Sequence, residues 1–77
     1  MEKPKKYYRH FKNGKYIVLA EGQDSETLMP VVIYQALYGE HKVWVRSKEK
    51  FYGTVVINGV ELLRFTEITE EEAYGKD

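Results

Sequence analysis

Two Asn-Gly pairs, Asn13-Gly14 and Asn58-Gly59, each sit between runs of β-favouring residues. Asn and Gly accept the positive φ that a two-residue type I′ turn demands, so each pair predicts a tight β-hairpin. The first joins "YYRHF" to "KYIVLAE" and the second joins "TVVI" to "VELLRF". Within the strand after the first turn, Tyr16, Val18 and Ala20 are expected to share one face. Between the hairpins lie "VVIYQALY" from Val31 and "VWVR" from Val43, linked by the turn signal Gly39-Glu40-His41-Lys42. Short strands at this spacing predict an all-β domain of about five to six antiparallel strands, rolled or closed into a small barrel.

Helix signals are limited to one or two short turns. Ser47 stands as an N-cap before Lys48 to Phe51, and Thr69 does so before the acidic run Glu70 to Glu72. Val31 to Tyr34 show no polar alternation, so their strand is expected to be central and covered on both faces. Pro30 fits the start of that strand, where a missing N–H breaks no ladder. Just upstream, Ser25 and Thr27 are expected to shape the turn by hydrogen-bonding nearby backbone.

With 77 residues and no cysteine, the chain is one small domain that neither disulfides nor a thiolate cluster can staple. Aromatic residues make up 14% of it, and large rings bury much area per residue. No apolar run approaches the roughly 20 residues of a membrane-spanning helix, and "MEKPKKYY" lacks the apolar core of a signal peptide. A cytoplasmic location without membrane association is therefore expected. The net charge is zero but uneven. Residues 1–15 carry Lys3, Lys5, Lys6, Arg9, Lys12 and Lys15 against Glu2, whereas residues 67–77 carry Glu67, Glu70, Glu71, Glu72 and Asp77 against Lys76. This predicts a basic tail over 1–6, the folded domain over 7–68 and an acidic tail over 69–77.

The chemistry available is narrow. A metal site needs three or four suitable ligands, and the only imidazoles, His10 and His41, stand far apart in the chain. Neither a metal nor a cofactor is expected. Nucleophilic catalysis would require Ser25 beside His10, with Glu26 or Asp24 to orient the imidazole. No Gly-x-Ser-x-Gly elbow, Gly-rich phosphate loop or His-Glu-x-x-His segment supports it. Binding asks for less. Trp44 and Arg46 are two residues apart and project from one strand face, opposite Val43 and Val45. An aromatic beside a guanidinium is a platform for a base, a ring or a proline-rich segment, with Arg free to hold a carboxylate or phosphate. The competing reading puts Trp44 in the core and Arg46 in a surface ion pair. Arg9 and His10 fall on opposite faces of their strand, so one of them is expected to join the platform, with Glu26 as a counter-ion for Arg9 or Arg46.

Three blocks, "YYRHFKNGKYIVL", "DSETLMPVVIYQALYG" and "VWVRSKEKF", together resemble the bacterial family of small uncharacterised proteins catalogued as domain of unknown function 1653. The resemblance runs from Tyr8 to about Ile68. It implies an SH3-like β roll and assigns no activity. The chain departs from the family's usual pattern at Asp24, Gln35 and Ser47, where His, Arg and Pro are common. The matching polar and aromatic positions are Arg9, His10, Ser25, Glu26, Thr27, Tyr34, Tyr38, Trp44 and Arg46. The expected function is a non-catalytic intracellular binding module for a peptide, protein or small ligand, using Arg9, His10, Glu26, Thr27, Tyr34, Trp44 and Arg46. An RNA- or nucleotide-binding domain that adds the basic N-terminal arm is one alternative, and a minimal hydrolase using His10 and Ser25 is another. The expected state is a monomer or a weak homodimer.

Overall fold

Both Asn-Gly pairs close antiparallel hairpins, but through different turns. The computed structural model describes residues 5–75. In chain order its elements are β1 (Lys6–His10), β2 (Lys15–Gln23), β3 (Pro30–Ala36), β4 (Val43–Ser47), α1 (Lys48–Phe51), β5 (Thr54–Ile57), β6 (Val60–Leu63), β7 (Phe65–Ile68) and α2 (Glu70–Ala73). Asn58 and Gly59 both have positive φ, 51° and 78°, the signature of the expected type I′ turn between β5 and β6. At the first pair only Asn13 is left-handed, at φ 78°. There the His10 carbonyl accepts the Asn13 N–H and the Gly14 carbonyl accepts the His10 N–H, both at 2.7 Å. The loop therefore has three residues, Phe11 to Asn13, rather than the two expected. Gly14 serves packing instead: a Cβ there would lie 3.1 Å from ring carbons of both Tyr16 and Tyr38.

The main sheet is all antiparallel, in the order β4-β3-β2-β1-β7, and β5 and β6 form a separate two-stranded ribbon. The segment "VELLRF" is broken at Arg64 into β6 and β7, which makes seven strands. Strand alternation and register define two faces. One carries Tyr8, Tyr16, Val18, Val32, Tyr34 and Phe65 and is covered by Phe51 from α1. The other carries Tyr7, Ile17 and Ile68 and is covered by Ala73 from α2. These are called the α1 face and the α2 face below.

Two expectations about faces change. A bulge between Val18 and Ala20 shifts the β2–β3 register, so Tyr16 and Val18 stay on the α1 face while Ala20 pairs with Ile33 on the other. β3 is flanked by strands on both sides, but its burial alternates. Val32, Tyr34 and Ala36 are buried, whereas Val31, Ile33 and Gln35 are only half-buried.

Both helical turns form where their caps predict. Ser47 Oγ accepts the Lys50 N–H at 3.2 Å. At α2, Thr69 Oγ1 accepts the Glu72 N–H at 3.1 Å, and the Glu72 carboxylate accepts the Thr69 N–H at 3.0 Å, a full capping box. These bonds hold the Glu72 carboxyl below the usual carboxylate range. The acidic end is thus ordered through Gly75, with Ala73 packed against Tyr7 and Ile68. Tyr7 donates to Glu70 at 3.4 Å and meets Tyr74 edge to face, and burial first, then these neighbours, push its hydroxyl up to about 12. Lys6 already pairs with Val18 and Lys5 before it is exposed, whereas residues 1–4 of the expected basic tail lie outside the described residues, as do Lys76 and Asp77. Thr69→Ala should cost about 1 kcal/mol, read as a lower urea midpoint at unchanged slope; an unchanged midpoint would show that α2 docks without its cap.

Candidate ligand-binding face

The β3–β4 register places Trp44 opposite Tyr34 and Arg46 opposite Val32, so both residues belong to the α1 face. Phe51, at the end of α1, fills the middle of that face. It stacks on Phe65 at 4.1 Å and meets Tyr8 and Tyr34 edge to face. Beyond the reach of α1, toward the edge strand β4 and the β1–β2 loop, the face stays open. A chain of rings lines this part: Tyr34 to Tyr16 at 5.3 Å, and Tyr16 to Tyr38 at 5.6 Å, with the hydroxyls of Tyr16 and Tyr38 hydrogen-bonded. Burial and the Tyr38 hydroxyl raise the Tyr16 hydroxyl above the ordinary tyrosine value.

Arg46 is held by neutral groups. Its Nε donates to the Tyr34 hydroxyl at 3.2 Å, and its guanidinium carbon lies 6.0 Å from the centre of the Phe65 ring. Among the described residues the ion pairs are Lys42 with Glu40 and Lys48 with Glu21, and no carboxylate pairs with Arg46. The ion-pair reading of Arg46 is thereby overturned. So is the core reading of Trp44, which is 48% exposed and joins none of the ring pairs among the described residues.

His10 is the member of its pair that reaches this face, opposite Phe65, with its ring 4.9 Å from that phenyl. Its Nδ1 accepts the Lys12 N–H at 3.2 Å, which leaves Nε2 to carry the proton of the neutral ring. Partial burial, then the positive charges of Arg46, Arg64 and Lys12, hold its pKa below the ordinary imidazole value. Three positive charges near His10, none of them in an ion pair among the described residues, disfavour a further proton and favour an anion.

The remaining expected residues are elsewhere. Arg9 alternates to the α2 face, exposed, where its charge helps keep the Glu72 carboxyl low. Glu26 and Thr27 are exposed in the β2–β3 loop. That loop is organised by Asp24, whose Oδ1 accepts the Glu26 and Thr27 N–H groups at 2.8 and 3.1 Å and whose carboxyl is lowered by these bonds. Thr27 Oγ1 accepts the Met29 N–H at 3.2 Å, as expected of a turn-shaping hydroxyl, whereas the ordering part given to Ser25 belongs to Asp24. Leu28, at φ 63°, completes the turn. Glu26 forms no ion pair with Arg9 or Arg46. Ser25 and His10 sit beyond opposite ends of β2, whose nine residues span roughly 30 Å, so the serine and the imidazole do not meet. Among the described residues no three His, Asp or Glu side chains cluster as metal ligands.

Tyr16, Lys12 and Arg64 were not among the residues expected at the site. Tyr16 was traceable, since hairpin pairing sets it opposite Tyr8 and one strand from Tyr34. Arg64 had no such signal, because its place follows from the break between β6 and β7. Fold and face together define a small all-β domain with an open, cationic, ring-lined surface. The chain belongs to the family described as protein of unknown function, DUF1653, whose model matches residues 6–67. Comparisons with curated proteins and with solved structures found no match.

Proposed function

We propose that the protein is a non-catalytic intracellular binding module whose open α1 face takes an anionic group next to a planar ring or apolar segment. The observation that carries this reading is Arg46: a half-buried guanidinium fixed by a tyrosine hydroxyl and a phenyl ring, with no carboxylate partner among the described residues. Trp44 supplies the stacking surface, Tyr34 positions Arg46, and His10 offers an Nε2–H donor. A C-terminal carboxylate beside an aromatic side chain, in a peptide or a small ligand, matches this set. The SH3-like form and a cytoplasmic location complete the reading, and no helix among the described residues is long and apolar enough to cross a membrane.

A second reading, a nucleotide or RNA ligand, is favoured by Lys12, Arg46 and Arg64 acting together on His10. Salt separates the two, since affinity for several phosphates falls steeply with ionic strength and affinity for a single carboxylate far less. The test is an ¹⁵N–¹H titration with an aromatic-ended peptide, a nucleoside monophosphate and a short single-stranded RNA. Shifts centred on the Trp44 indole, His10 and Arg46 are expected from at least one probe. Shifts confined to the β2–β3 loop, or none from any probe, would sink the proposal.

A further inference from the structure

One side of the β4 backbone has no partner. β4 ends the main sheet next to β3, and no strand pairs with its other side among the described residues. The Lys42 carbonyl accepts the Ala36 N–H at 2.9 Å, and in the same register Trp44 and Arg46 lie opposite Tyr34 and Val32, so their N–H and C=O groups turn inward to β3. Those of Val43 and Val45 therefore turn outward. Edge strands are commonly blunted by a proline, a lysine or a bulge. β4, "VWVRS", contains neither of those residues and pairs with β3 without a register shift. The side chains along this edge alternate, Trp44 and Arg46 on the α1 face and Val43 and Val45 on the α2 face, and the indole and both valines are exposed.

We propose that the ligand of the α1 face is an extended peptide that adds to the β4 edge as an antiparallel strand, with a carboxylate side chain opposite Arg46 and an aromatic one opposite Trp44; this rests on the binding role proposed for that face. Pairing through the outward groups of Val43 and Val45 leaves Trp44 and Arg46 at the non-hydrogen-bonded positions, where Cα atoms of the two strands are about 4.5 Å apart and facing side chains are closest. Those two positions are where the peptide is read. Arg46 has no carboxylate partner among the described residues, so an acidic side chain opposite it completes a charge pair. On the other side of the strand, Asp24 and Glu26 stand beside Val31, Ile33 and Val45, which selects against acid there and leaves aliphatic residues to face the valines. From N- to C-terminus the peptide thus reads acidic, aliphatic, aromatic, aliphatic. Charge also selects a foreign strand over a second copy. Self-pairing of β4 about Trp44 sets Arg46 opposite Lys42, and self-pairing about Val45 sets Lys42 opposite Lys48; both bring like charges together and neither gives Arg46 a carboxylate.

The test is an ¹⁵N–¹H titration of the full chain with acetylated, amidated Ser-Glu-Val-Phe-Val-Ser, read together with amide hydrogen exchange. Shifts at the Trp44 indole and Arg46 are expected, with slowed exchange of the Val43 and Val45 N–H groups. N-methylation of the two valine nitrogens of the peptide removes its bonds to β4 and should weaken binding about 10-fold or more. N-methylation at its Glu and Phe, whose N–H groups point to solvent, should leave binding nearly unchanged. Equal effects of the two modifications, or shifts at Trp44 and Arg46 without protection of Val43 and Val45, overturn strand addition and leave the α1-face reading standing. A peptide without effect where a nucleoside monophosphate shifts Trp44 and Arg46 does the same, and if neither probe shifts them both readings fall. Protection of Val43 and Val45 in the peptide-free chain that fades on dilution puts a second copy on the edge and overturns the proposal.

Discussion

Phe51→Ala is expected to remove most of the stability of the domain. Phe51 is fully buried, and it is the one residue through which α1 reaches the sheet core. It stacks on Phe65 with the ring planes 10° apart and takes the edges of Tyr8, Tyr34 and Tyr52 at 5.0 to 5.2 Å. Truncating a phenyl in such a site costs about 3–5 kcal/mol, transfer and cavity together. A domain of this size has a total stability of roughly 5–15 kcal/mol, so the variant should melt far below the wild type or fail to fold. Urea denaturation measures the effect, with wild type and variant compared at one fixed protein concentration so that no difference in concentration enters through mass action. Phe51→Leu keeps most of the plug and should lose roughly half as much. Trp44→Ala is the contrast: the indole is half exposed, so its removal should change stability by about 1 kcal/mol or less. Near-equal losses for Phe51→Ala and Trp44→Ala would contradict the placement of both rings.

The difference between Phe51 and Trp44 also shows where sequence reasoning reached its limit. Alternation divides β4 into Trp44 with Arg46 and Val43 with Val45, but it does not say which pair meets the core. Neither pair does fully, because β4 is an edge strand that both α1 and α2 leave largely uncovered. Coverage by a helical turn is a tertiary fact with no period in the sequence. The second Asn-Gly turn was legible because both its residues need positive φ. The first misled as to loop length, because Gly14 is required by the Tyr16 and Tyr38 rings rather than by its own φ. The bulge after Val18 left no mark in "YIVLAE", where every residue tolerates a strand. For Arg9 and His10, alternation gave the right dichotomy. Choosing His10 required knowing that Tyr8, its neighbour two residues earlier, points to the larger aromatic core. The acidic end read as a tail by charge alone, yet the Thr69 capping signal within it marked the turn that docks on Tyr7.

Arg46→Gln should abolish most of the affinity for the anionic probe that binds the wild type. A hydrogen bond to a charged group contributes about 1.5–3 kcal/mol, so a loss on the order of 10- to 100-fold is expected. Arg46→Lys should not restore it. The present guanidinium uses Nε to hold the Tyr34 hydroxyl and leaves the rest of its fork without a partner among the described residues, a division that a single ammonium cannot reproduce. Proton coupling supplies an independent readout through His10. Its folded-state pKa is depressed, so His10 binds fewer protons folded than unfolded below about pH 6.5. The corresponding stability is complete above that pH and is lost as pH falls through the unfolded pKa toward the folded one. An anion on Arg46 offsets part of the charge that holds His10 low, so binding raises its pKa, takes up protons and strengthens as pH falls through that range. Arg46→Gln removes one of the repelling charges, so the free variant should show a higher His10 pKa than the free wild type, short of the ordinary value because burial remains. The Hε1 resonance of His10, followed against pH with and without probe, reports all three quantities. A probe that binds while leaving that titration unmoved is not seated at Arg46, and the α1 face would then have to be given up as its site.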